Sequence, residues 1–121
     1  MIEALPDFPD NVVAVASREH VTKLDYETVL VPHVEKALKR HEKIRLYYQI
    51  GSDFTGIDPG AVWEDFKVGA EHLLRWERIA IVTDVDWIRH TMTAFGFLIP
   101  AEVKIYPTSE TSKAHDWIIA A

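Results

Sequence analysis

Cysteine is absent from this 121-residue chain. That excludes disulfides, a thiolate nucleophile and any cysteine-based zinc site. Positive charge is also in short supply: 19 Asp and Glu against 13 Lys and Arg leave a net charge of −6. Nucleic-acid binding needs Lys and Arg concentrated against phosphate, so no nucleic-acid partner is expected. The one basic cluster, Lys36, Lys39, Arg40, Lys43 and Arg45, is interrupted by Glu35 and Glu42. No apolar run approaches the ~20 residues that span a bilayer, so no transmembrane segment is expected. The opening Met-Ile-Glu-Ala-Leu-Pro-Asp lacks the basic and apolar regions of a signal peptide, and a cytoplasmic location is the expectation. Glycine is scarce, and three of the five glycines fall between Gly51 and Gly60.

What is present is a strong pattern of strands and helices. The apolar fraction of 48% suits one domain over residues 1–121, with no repeat or linker. Arg78 to Thr83 reads as an apolar central strand, Asp86 to Leu98 as a helix stopped by Pro100, and Ala101 to Tyr106 as a strand. Strand, helix, strand with short connections means parallel neighbours joined by a right-handed crossover. Ile2 to Leu5 and Val12 to Ser17 are close enough in sequence for an antiparallel pair. Thr22 and Asp25 form a capping box ahead of a helix whose apolar face is Tyr26, Leu30, Val34, Ala37 and Leu38. Pro32 falls inside that pattern and predicts a kink or break. From Lys43 to Ile50, Ile44, Leu46, Tyr48 and Ile50 point one way and Arg45, Tyr47 and Gln49 the other. A helix is predicted from Asp58 and Pro59 to about Trp76, and a last one from near Thr108, with Ala114, Trp117 and Ile118 on one side.

The usual catalytic and cofactor patterns do not assemble. The Gly51 loop has neither phosphate-binding glycine spacing, and Asp53 and Asp58 would repel phosphate. No two of the six histidines sit at i, i+4 on a helix; His72 beside Glu71 and His115 beside Asp116 lack a third ligand, so no metal or other cofactor is expected. Ser52, His90 and Asp84 could be drawn as a triad, but no nucleophile elbow supports it.

The aromatic residues are the better signal. Phe54, Trp63, Trp87 and Phe95 fall on the Gly51 loop and on the helices after two successive strands. They predict either a thick core or an apolar pocket. The alternation also predicts that Arg45, Tyr47 and Tyr106 lie on a sheet face away from the main helices. Tyr and Arg are favoured at interfaces, so a twofold homodimer through that bare face is expected. The alternative is that the N-terminal segment folds across it.

The order of elements resembles the SpoIIAA-like proteins of the STAS superfamily, in particular a bacterial branch of small stand-alone domains. The resemblance is carried by Asn11 to Val15, Asp25-Tyr26-Glu27, Lys43 to Tyr47, Asp53-Phe54, Trp63-Glu64-Asp65, Arg78 to Val82 and Ala101 to Lys104. It implies an α/β fold of the β-α superhelix kind: an open, mostly parallel sheet of about five strands with the main helices on one face. It also implies kinship with the CRAL-TRIO lipid-binding fold. The chain departs from that family in two places. Arg18, Glu19 and His20 fill a turn that usually holds glycine. The helix at Asp58-Pro59-Gly60 lacks the Asp-Ser pair of the phosphoregulated members. The expected function is therefore non-enzymatic binding of a small apolar or lipid-like ligand by Phe54, Trp63, Trp87 and Phe95. The alternative is a regulatory protein-interaction domain without the phosphoserine switch.

Overall fold

Runs of β-branched and aromatic residues, buried on both faces in the middle strands, build the central sheet. The computed structural model describes residues 1–51, 53–57, 60, 73–96 and 100–121. Five strands form one sheet: β1 (Ile2–Ala4), β2 (Val12–Ser17), β4 (Ile44–Ile50), β6 (Trp76–Thr83) and β7 (Glu102–Tyr106), side by side in that order. β1 is antiparallel to β2, while β2, β4, β6 and β7 are mutually parallel. The register sets Val15 opposite Tyr48, Tyr48 opposite Ile81, and Ile81 opposite Ile105. Two residues each from β3 (His20–Val21) and β5 (Gly56–Ile57) make a separate parallel pair. That pair was not expected; it ties the Gly51 loop to the turn after β2.

Alternation sorts the side chains onto two faces. Val13, Val15, Ile44, Tyr48, Ile50, Ile79 and Ile81 enter the larger core, joined by partly buried Val103 and Ile105. Val12, Ala14, Tyr47, Ala80 and Val82 enter a smaller one. Over the larger core lie α1 (Lys23–Asp25), a π-helical turn (Tyr26–Leu30), α2 (Val31–Arg40) and α3 (Asp86–Phe95). Tyr26, Leu30, Val34 and Ala37 are buried there, as their spacing predicts. Burying each of the larger aliphatic side chains contributes about 1.5–3 kcal/mol.

The capping box is present: Thr22 Oγ1 accepts from the Asp25 amide at 3.2 Å, and Asp25 Oδ2 accepts from the Thr22 amide at 2.8 Å. Pro32 does not break the helix. The turn before it widens to π geometry, and the Val31 amide reaches back to the Tyr26 carbonyl. One wide turn absorbs the missing Pro32 donor and the helix continues. At its far end Arg75 donates to the carbonyls of Leu38 (2.9 Å), His41 (2.8 Å) and Glu42 (2.6 Å), which a helix leaves without internal partners. The helix predicted from Asp58 lies mostly outside the described residues. Its expected end does not hold, because Leu73–Arg75 is a 3₁₀ turn and Trp76 begins β6.

The second face is not bare, which corrects the expected interface. A 3₁₀ turn (Thr108–Glu110) leads into α4 (Thr111–Ile119), which lays Ala114 and Ile118 on that face. Phe8 covers it from the N-terminal side. Tyr47 is only 1% exposed and Arg45 only 8%. The Arg45 guanidinium donates to Glu77 Oε1 at 2.5 Å and to the carbonyls of Ile118 and Ala120. Tyr106 is half-buried, its ring 6.4 Å from Trp117. These three side chains are thus used within one chain. A dimer seated on Arg45 and Tyr47 would first have to displace α4. The expected alternative, an N-terminal covering, is present in part; the C-terminal helix supplies the rest.

Candidate functional site

Parallel α/β sheets place ligands beyond the carboxyl ends of their strands, where helix N-termini and loops converge. In this protein that edge carries Ser17 on β2, Ile50 on β4 and Thr83 on β6. Trp87 lies in the first turn of α3, four residues after Thr83. It is 56% exposed although it is the largest side chain of its helix. Helix geometry explains this: Ile88 and Met92, four apart, take the core-facing stripe, and Trp87 falls off it. Phe54, after β4, is partly buried and packs against the larger core. Leu24, in α1 after β2, is 65% exposed. Leu24 and Trp87 both stand at helix starts that follow strands of this edge. Of the four expected ligand-binding residues, the structure brings Phe54 and Trp87 to one edge. Trp63 and the side chain of Phe95 lie outside the described residues.

Beneath the edge runs a buried chain of hydroxyls. Ser17 Oγ donates to the Tyr48 hydroxyl at 2.5 Å, and the Tyr48 and Tyr26 hydroxyls are 3.0 Å apart. All three residues are buried. Sequence periodicity placed Tyr26 and Tyr48 in the core but did not join them. The available signal was chemical: a buried tyrosine needs a partner for its polar tip. The chain ties the π-helical turn to β4 and β2 directly below the edge.

Acidic and basic groups at the edge are engaged in holding it. Asp84 Oδ1 accepts from the Thr108 amide at 3.0 Å, and Oδ2 accepts from the Thr108 hydroxyl. These bonds, side chain first, hold its carboxyl below the usual range; slight desolvation opposes them and Arg89 assists. Arg89 donates to the Thr83 carbonyl at 3.1 Å, and Thr83 Oγ1 accepts from the Val85 amide at 3.1 Å. Asp84 therefore fastens the end of β6 to the turn before α4. Of its drawn triad partners, His90 is exposed on α3 and Ser52 lies outside the described residues. Among the described residues no group of three His, Asp or Glu could hold a metal ion. Among the same residues no helix is long and apolar enough to cross a membrane.

One concavity carries no signal in the sequence. An open cleft of about 400 Å³ lies on the other face, between the N-terminal segment, β4 and the start of α4. Its members come from three distant stretches of chain, so no local motif announces it.

The SpoIIAA-like family model matches residues 12–119. No curated protein matches the sequence. Among solved structures, the chain is similar to an uncharacterised protein of the DUF3478 family with a SpoIIAA-like fold, from Shewanella loihica PV-4. The two are 24% identical, with a TM-score of 0.74 over 98% of this chain and 92% of that one. At that identity the likeness is one of fold.

Proposed function

The chain belongs to the SpoIIAA-like family, and from that premise we propose a non-enzymatic binding domain of STAS type that takes a small apolar or lipid-like ligand at the carboxyl edge of its sheet. The observation that carries this reading is Trp87, 56% exposed at the mouth of the central strand β6. Covering an indole of that exposure would contribute about 2–3 kcal/mol. Partly buried Phe54 supplies an apolar wall from the neighbouring strand's loop. Trp63 and Phe95 belong to the same proposed set. The engagement of Asp84 by Thr108 and the burial of the Ser17, Tyr48 and Tyr26 hydroxyls support a binding role over a catalytic one.

Native mass spectrometry of the purified protein, followed by titration with laurate below its micellar concentration, tests the reading. A retained or saturably bound acyl chain, lost in Trp87→Ala with folding intact, is the expected result. Failure of laurate to bind the native protein, or full retention of binding in Trp87→Ala, overturns it.

A second reading, regulatory protein interaction, is favoured by Leu24, 65% exposed at another helix start on that edge. Two separated exposed apolar side chains suit a protein partner better than a short acyl chain. In that case Leu24→Glu abolishes capture of a specific protein and leaves laurate binding unchanged.

A further inference from the structure

The cleft on the second face has the size of a small-molecule site, at about 400 Å³. Its floor is aromatic. The Phe8 ring lies 4.9 Å from Tyr47 and 4.7 Å from His115. Its walls offer more acceptors than donors. The Tyr47 hydroxyl donates to Gln49 Oε1 at 3.1 Å, and the Thr111 hydroxyl donates to the Thr108 carbonyl at 2.7 Å. What each hydroxyl has left to give a ligand is lone pairs. Asp7 and Asp116 add two carboxylates, and neither Lys nor Arg is among the lining residues. His115 Nε2 lies 3.4 Å from the Asp7 carbonyl oxygen, and Nδ1 lies 3.9 Å from the Asp116 carboxylate. The positive end of α4, the Gln49 amide nitrogen, the Ser112 hydroxyl and the His115 ring could serve an anion, but Glu110, immediately before α4, opposes the helix field and the two carboxylates oppose the charge.

We propose that this cleft binds a small organic cation, a primary ammonium carried on an aromatic or apolar body. The ammonium brings three donors to walls that mostly accept. Its charge is attracted by the carboxylates and by the face of Phe8, the Tyr47 ring being buried beneath. Its apolar body covers Phe8 and Leu5. An anion of the same shape meets two like charges and neither Lys nor Arg. The site is on the opposite face from the Trp87 surface and depends on no part of the carboxyl-edge reading.

The test is a backbone-amide NMR titration with phenethylammonium and, as its charge-reversed match, phenylacetate. Saturable shifts grouped at Phe8, Gln49, Ser112 and His115 are expected with phenethylammonium at millimolar concentration, and none with phenylacetate. The double variant Asp7→Asn, Asp116→Asn should bind at least about threefold more weakly, since each partly solvated charge contributes modestly. Asn tolerates the φ of 69° found at Asp7, so the substitution keeps the backbone. Should the double variant not fold, Asp116→Asn alone, on an exposed helix position, carries the same expectation of weaker binding. The proposal is overturned by absence of saturable shifts, by equal binding of phenylacetate, or by unchanged affinity in the folded charge variant.

Discussion

The Arg45 guanidinium donates to the carbonyl oxygen of Ile118 at 2.8 Å, across 73 residues of sequence. A strand residue thereby caps the last turn of α4 from within the sheet. Arg78, one strand over, donates to Trp117 (3.0 Å) and Ala120 (2.9 Å) and stacks 5.6 Å from the Trp117 ring. Two cations at the negative end of a helix complement its dipole and satisfy its free carbonyls.

Arg45→Met keeps the aliphatic stem and removes the charge. Lost hydrogen bonds to a charged group predict a destabilisation of about 2–3 kcal/mol in urea unfolding. Glu77 is left facing solvent, so the cost stays below that of stranding a buried charge. A loss under about 1 kcal/mol would mean that α4 holds its place by packing alone.

Glu19 sits at φ 52°, in the left-handed region, in the turn after β2. That conformation costs a non-glycine residue roughly 1–2 kcal/mol, while glycine adds unfolded-state entropy worth about 0.5–1 kcal/mol. Glu19→Gly is therefore expected to stabilise by up to about 1 kcal/mol. Glu19→Val should destabilise, since a β-branched residue tolerates positive φ worst. Thermal unfolding of the pair checks the sign; Gly less stable than Glu would refute the strain.

Tyr48→Phe preserves the ring and removes the middle of the hydroxyl chain. The buried Ser17 hydroxyl then loses its acceptor, and a cost of about 1–2 kcal/mol is expected. A neutral result in chemical denaturation would show that the chain contributes nothing net to folding.

Asp84 should titrate below its ordinary 3.8, because Thr108 hydrogen-bonds the ionised form through its side chain and backbone. A carboxyl depressed in the fold contributes stability that is present above the unfolded pKa and is lost as pH falls through the folded one. Its contribution is thus complete at neutral pH and disappears only in acid, below 3.8. Carboxyl-carbon NMR should show the midpoint rising in Thr108→Ala. A midpoint indifferent to that change would assign the shift to something other than Thr108.

Local chemistry determined much of this protein. Period-two alternation in Ile44–Ile50 assigned each side chain to its face, because a strand has no third direction to point. The stripe from Tyr26 to Ala37 assigned the helix and its buried side, and the short return from Asp86 to Tyr106 required a parallel neighbour. What lies on each face is a different matter. The apolar side of α4 matches either face equally well, since burial is non-directional. Only the folded chain decides that it covers Tyr47 and turns Arg45 from an expected contact residue into a helix cap. The pairing of His20–Val21 with Gly56–Ile57 and the cleft between Phe8, Tyr47 and His115 have the same origin. Each joins stretches far apart in sequence, and no local periodicity records such a meeting.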